Sequence, residues 1–306
     1  VVEFTEQPID DKVIDLDVKC LTAVADGRKD EAQDFADRAA DSGSVLGVAL
    51  STYLRSSHRH GVYDQPAAFE AFISGGGNIH LYGRASTVLA AAYPGVASLL
   101  DIGCGNGRAL VPALQMAGLA APGAVELVEP GADLLEHCVG SIQSAGLPVQ
   151  ITGWQMGLTA FLEAAPRAGR WQLAQSTFAL QSIEPAERLL ALRTLAPLVD
   201  RLIVIDFDVA AERPRSRSHI RGLAARYERG LAEYDETRDL VAQGFLMPVL
   251  VGQLSPDIPR TNWEHTSAYW ASHVADAGFG NIEVTALADY WSAPAFVLTA
   301  NSTGIA

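Results

Sequence analysis

Cysteine, lysine and long apolar runs are all scarce in this 306-residue chain. Its three cysteines, Cys20, Cys104 and Cys138, supply neither a disulfide framework nor the paired spacing of a zinc site. No metal is therefore expected, and a reducing, cytoplasmic setting fits. Lysine occurs only at Lys12, Lys19 and Lys29, and 22 Lys and Arg face 36 Asp and Glu, a formal charge of −14. A surface that acidic repels phosphate backbones, which excludes general nucleic-acid binding. The apolar stretch 88–93 is cut by Pro94 and Gly95, and nothing approaches the ~20 residues that span a bilayer, so no membrane span is expected. The opening Val-Val-Glu-Phe has no basic region leading into an apolar core, so no signal peptide is expected either.

What is present is the composition of an ordinary globular protein, 49% hydrophobic and 19% charged. Residues 10–92 read as helical almost throughout. Val13, Ile14, Leu16, Val18, Leu21, Val24 and Ala25 recur at three- and four-residue spacing, Pro66 suits a first helical turn, and the run 74–78 is a breaker. At Ala97 the texture changes. A short apolar run at 97–102 and strand-like segments at 124–128, 149–152, 171–176 and 201–207 alternate with helical spacing at 109–117, 132–144, 158–165 and 185–195. Such alternation predicts parallel crossovers and one doubly wound sheet. It stops over about 208–262, read as an insertion above the strand ends. A last helix at 266–277 then precedes two runs, 281–286 and 295–300, that pair antiparallel. The expected architecture is α/β, with a mostly parallel seven-stranded sheet. A helical segment or lid over 1–92 precedes a core over 93–306.

The sharpest motif is Leu99-Leu100-Asp101-Ile102-Gly103-Cys104-Gly105-Asn106-Gly107, a buried strand running into a turn with glycine at every second position. Glycine permits positive φ and lets a ligand lie against bare backbone, and the helix that follows offers unpaired N–H groups. A P-loop would need Lys and Ser or Thr after the turn, and neither is present. A dinucleotide turn would need glycine where Arg108 stands. An acid at position 101 would repel a pyrophosphate but can engage an α-ammonium.

With that acid the segment resembles the first motif of class I S-adenosylmethionine-dependent methyltransferases of the small-molecule, natural-product type. The match is good over about 97–207. The resemblance implies a Rossmann-like core and S-adenosyl-L-methionine as cofactor, with Asp101, Gly103, Cys104, Gly105, Asn106 and Gly107 around its amino-acid end. Glu129, before Pro130 and 22 residues beyond Gly107, is the expected ribose ligand. The family often carries a further acid after the third strand, where this chain has Trp154 and Gln155. Either these two serve the adenine or Trp154 belongs to the core. Ser176, Thr177 and Phe178 match the segment beside the cofactor, and Tyr82 is a candidate for the methionine carboxylate. Where many relatives have histidines, this chain has Gln181 and Ser182.

Methyl transfer from a sulfonium needs chiefly positioning and exclusion of water. The missing base therefore favours a nitrogen or carbon acceptor, small and aromatic or indole-like. Alternatives are an O-methyltransferase using His265 with Glu264 as base, or an inactive binding module of the same fold. Tyr63 completes the catalytic candidates, and Gln181, Tyr227 and Trp263 the acceptor candidates. The arginines of the insertion read as a solvated face, or as ligands for a carboxylate or phosphate on the acceptor. The expected partner is a small molecule, and the reading leaves room for a homodimer.

Overall fold

The computed structural model describes residues 11–56, 64–164, 170–258 and 260–304. In chain order the helices are α1 (Asp11–Ala25), α2 (Lys29–Asp41), α3 (Val45–Arg55), α4 (Pro66–Ser74), α5 (Asn78–Ala92), α6 (Leu110–Ala117) and α7 (Ala132–Ser144). They continue as α8 (Leu158–Ala164), α9 (Pro185–Leu195), α10 (Arg217–Ala232), α11 (Arg238–Val241), α12 (Met247–Leu254) and α13 (Ser267–Asp276). The strands are β1 (Ser98–Ile102), β2 (Ala124–Val128), β3 (Gln150–Trp154), β4 (Trp171–Thr177), β5 (Val199–Phe207), β6 (Phe279–Ala288) and β7 (Ala295–Ser302). Among the described residues no helix is long and apolar enough to cross a membrane.

The chain forms two compact units, 1–76 with 212–261, and 77–211 with 262–306. The first unit is helical. Hydrophobic spacing closes α1, α2 and α3 on one another, with Leu21, Leu46 and Leu50 fully buried. From the insertion, α10 packs on α1 and α3 through Ile220, Leu223 and Leu231. Helix α10 stops at Ala232, and α11 continues through a π-helical turn at Ala242–Leu246 into α12. Phe245 in that turn packs on Phe69 and Phe72 of α4, at centroid distances of 5.2 and 4.5 Å.

The second unit is a seven-stranded sheet in the order β3-β2-β1-β4-β5-β7-β6. The first five strands run parallel and β7 lies antiparallel between β5 and β6. Strands covered on both faces must be largely apolar on both, as at Leu99–Leu100 of β1 and 202–205 of β5. On one face Leu81, Ala85 and Leu89 of α5 join residues of α6 and α7. On the other, Phe161 of α8, Leu192 of α9 and Trp270 of α13 pack on Leu100, Val128 and Val204.

The sequence expectation put the boundary at 92, whereas the units divide at 76/77. The reason is α5, whose buried face packs on the sheet. The segment 212–261 groups with the helical unit, whereas the sequence reading places the insertion within the core over 93–306.

Candidate functional site

The loops leaving the carboxyl ends of the parallel strands are stitched together. Gly103, Gly105 and Gly107 hold φ of 68°, 54° and 83°, a region that side chains avoid. At Gly103 a Cβ would also fall on the Cβ of Ala179, beyond β4. Gly103 N donates to Val128 O at 2.7 Å, Glu129 N to Trp154 O at 3.1 Å, and Phe178 N to Ile205 O at 2.8 Å. The Ser176 hydroxyl donates to Ile102 O at 3.0 Å. Asn106 Oδ1 accepts from Arg108 N at 3.2 Å and closes the turn.

Two buried carboxylates flank this turn. Glu129 accepts from Gly105 N at 3.0 Å and from Gly131 N at 2.9 Å, one bond to each oxygen. Each oxygen keeps a lone pair. Asp101 Oδ2 accepts from Gln175 Nε2 at 3.2 Å, while Oδ1 takes no bond from any described residue. Burial, opposed by the Gln175 bond and reinforced by Glu129, pushes the Asp101 carboxyl up to about 7. Burial also raises Glu129, against its two backbone donors. The Cys104 thiol is pushed far up by contact with Cys138, by burial and by both carboxylates, so it stays protonated.

Around the turn, Tyr82 meets Phe178 edge-on at 5.6 Å, and Phe178 stacks on Phe207 at 4.7 Å. Phe178 itself has φ of 55°, a strained value for a non-glycine residue. Thr177 Oγ1 is buried and has no hydrogen-bond partner among the described residues. Pro130 and Gln155 are exposed. Trp154 donates its indole N–H to Glu126 at 3.0 Å and meets Phe161 edge-on at 5.5 Å. Among the described residues no cluster of His, Cys, Asp and Glu could hold a metal.

Beyond β5 lies a polar cluster that the sequence reading passed over. Asp206 is buried, accepts from its neighbour Phe207 N at 2.8 Å through Oδ1, and has no partner for Oδ2 among the described residues. Burial raises its carboxyl to about 7, with Glu264 reinforcing and Arg188 opposing. Arg188, also buried, lies 4.0 Å over the Trp270 ring and donates to Leu180 O at 3.1 Å and to His273 Nε2 at 3.3 Å. Burial and Arg188 lower His273 to about 4, so it is a neutral acceptor. An acid closing the apolar run 202–205 was the available signal, the same one that marks Asp101 at the end of β1.

The segment before α13 sits against the same strand exits. Trp263 N donates to Gln181 O at 2.9 Å, Val209 N to His265 O at 3.0 Å, and Gln181 Nε2 to Phe178 O at 3.3 Å. The His265 ring stacks on Tyr269 at 3.8 Å. Glu264, His265, Gln181 and Trp263 are half-buried. Tyr227 is buried in the helical unit. Tyr63 lies outside the described residues.

No protein-family model matches this chain, and no curated protein matches it by sequence. Solved structures do. The magnesium protoporphyrin IX methyltransferase of Synechocystis PCC 6803 with bound SAH superposes at TM-score 0.52 and 15% identity, over 79% of this chain and 95% of that one. The fold is that of the class I methyltransferases.

The mitomycin 7-O-methyltransferase MmcR shares this methyltransferase fold at TM-score 0.50 and 19% identity, over 90% of this chain and 71% of its own. So does the N,N-8-amino-8-demethyl-D-riboflavin dimethyltransferase RosA of Streptomyces davawensis, at 0.50 and 15%, over 82% and 64%. In this methyltransferase fold the glycine turn, Asp101 and Glu129 share the carboxyl edge of the sheet with Thr177, Phe178 and Asp206. That edge is where ligands of open α/β sheets bind.

Proposed function

We propose that this chain transfers a methyl group from S-adenosylmethionine to a small, aromatic or indole-like acceptor through a nitrogen or carbon nucleophile. The observation that carries the reading is the glycine turn held between two buried acids. Asp101 offers Oδ1 to a cationic amine, Glu129 offers both oxygens to ribose hydroxyls, and the bare backbone of Gly105 faces open space. These residues fit the amino-acid and sugar ends of the nucleoside. Tyr82 and Phe178 would shield its side from water. The bound cofactor would supply a methyl group already activated by a sulfonium, so the protein needs no acid for the leaving group.

On the acceptor side, Gln181 holds Phe178 O through its amide, and neither it nor Ser182 can act as a base at neutral pH. The chain would therefore work by placing and drying a nucleophile that needs no deprotonation. The names of the structural neighbours support a small-molecule acceptor generally: MmcR is named for methylation at oxygen and RosA for methylation at nitrogen. One observation favours a second reading, O-methylation: His265 is half-buried beside Glu264, whose charge reaches Asp206.

Isothermal titration with S-adenosylmethionine tests the proposal. Wild type is expected to bind, with Asp101→Ala and Glu129→Ala each weakening affinity by roughly tenfold or more, the loss of one charge-assisted bond. Undiminished affinity in both variants would refute the site, and no binding at millimolar ligand would refute the activity.

A further inference from the structure

Through the middle of the sheet runs a chain of three buried side chains. Tyr93, which caps α5, donates its hydroxyl to Gln175 Oε1 at 3.1 Å, and Gln175 Nε2 donates to Asp101 Oδ2 at 3.2 Å. The chemistry fixes its direction. An ionised carboxylate only accepts, so the amide must turn its nitrogen to Asp101 and its oxygen to the phenol. Burial raises the Tyr93 phenol, so it remains a donor.

A buried glutamine is a costly choice for a central parallel strand, whose neighbouring positions hold Leu173 and Ala174. Leucine at 175 would fill the same space without a polar group to satisfy. Gln175 meets its requirement only by bonding Asp101 on one side and Tyr93 on the other. The pair thereby commits one oxygen of Asp101 and leaves the other at the glycine turn.

We propose that Tyr93 and Gln175 are positioning residues for the cofactor's amino-acid end, orienting Asp101 so that Oδ1 receives the cationic amine. This rests on the reading given above. A measurable consequence is proton linkage. The titratable or polar groups facing Asp101 are Gln175 from β4, Tyr93 from α5, Glu129 from the end of β2, and Cys104 on the turn with Cys138 of α7 behind it. None is a cation. The raised carboxyl, about 7 in the free protein, must therefore release its proton when an ammonium arrives.

Affinity for S-adenosylhomocysteine, measured by titration calorimetry from pH 5.5 to 9, should rise through an acidic limb near pH 7. It should fall again above about 8 as the ligand's own amine loses its proton. In buffers of different ionisation enthalpy, wild type should release protons on binding near pH 7. Asp101→Asn should flatten the acidic limb. Gln175→Leu should move it upward by about one pH unit, because the ionised form loses its donor. Tyr93→Phe should weaken binding at pH 7 by roughly fivefold, the worth of one hydrogen bond. It keeps the buried ring and carries the test if Gln175→Leu fails to fold. Wild type that binds without an acidic limb, or variants that keep the wild-type limb and affinity, would overturn the positioning role alone. Wild type that does not bind the nucleoside at any pH would instead remove the reading on which it rests.

Discussion

Both units bury carboxylates, and burial lifts Asp17 in the helical unit and Asp101 and Asp206 in the sheet unit to about 7. Their surroundings differ. Around the start of α3, Glu228 accepts from Val45 N at 3.0 Å and from Leu46 N, and the Ser44 hydroxyl lies 2.9 Å from both oxygens of Asp17 and 3.1 Å from Glu228. Each of those oxygens lies within hydrogen-bond distance of a backbone amide or of the Ser44 hydroxyl. In the sheet unit one oxygen of Asp101, Oδ2 of buried Asp206 and the buried Thr177 Oγ1 take no hydrogen bond from the described residues. All of these lie toward the carboxyl ends of β1, β4 and β5. A buried, shifted acid is therefore no marker of a site by itself; an acid left incompletely bonded at a strand end is.

The largest effect is expected where the sheet edge allows least change. Gly103→Val places a side chain at positive φ and against Ala179. It should cost about 2–4 kcal/mol of stability and abolish measurable cofactor affinity. Gly43 in the helical unit has φ of 90° but open space around it, so Gly43→Ala should cost only about 1 kcal/mol and leave affinity unchanged. Thermal melts and titrations of both variants check the contrast. Equal losses of affinity would erase it.

A smaller effect separates the two acids. Ser44 has one hydroxyl proton, accepts from Gly47 N at 2.7 Å, and lies between two carboxylates. It can donate to only one of them, so the other contact needs a second proton. Glu228, held by two amides at a helix start, is the better anion, and the proton falls to Asp17. A carboxyl near 3.8 in the unfolded chain and about 7 in the fold binds an extra proton between those values. Stability should then fall as pH rises from about 4 to 7, by up to roughly 1 kcal/mol per unit, and level off above. Asp17→Asn should reduce that slope by its own share in urea titrations at pH 5 and 8, leaving the shares of Asp101 and Asp206, without altering the pH profile of cofactor affinity. A change in that profile would show that the acids are not independent.

The parallel strands were legible because a strand covered on both faces leaves a short apolar run between glycines and prolines, as at 97–102 and 201–207. The glycine turn and its acid were legible for the same local reason. Allegiance between distant segments was not. The periodicity of α5 reveals a buried face but not what covers it, and nothing local in 212–261 says that α10 packs on α1 and α3. Asp206 carried a readable signal, an acid closing an apolar strand. Arg188 did not, because a buried arginine on a crossover helix is spaced like any surface one until His273 and Trp270 are folded over it. Gln175 stood in a strand that also carries Gln172, Ser176 and Thr177, and was readable only once Tyr93 and Asp101 flanked it.

The smallest expected effect concerns Trp154, which by sequence alone could serve either the adenine or the core. In the structure Glu126 accepts from two indoles, Trp154 at 3.0 Å and Trp171 at 2.9 Å, and the Trp154 ring meets Phe161. Trp154→Phe keeps an aromatic ring against Phe161 and leaves Glu126 with the Trp171 bond. One hydrogen bond is lost at a half-buried carboxylate, which should cost about 1 kcal/mol of stability. If the indole serves the packing between β3 and α8, affinity for S-adenosylmethionine should change by less than about threefold, under 1 kcal/mol. A tenfold loss of affinity with unchanged stability would instead place the ring at the base. The incompletely bonded acids would then account for only part of what distinguishes the sheet edge from the helical unit.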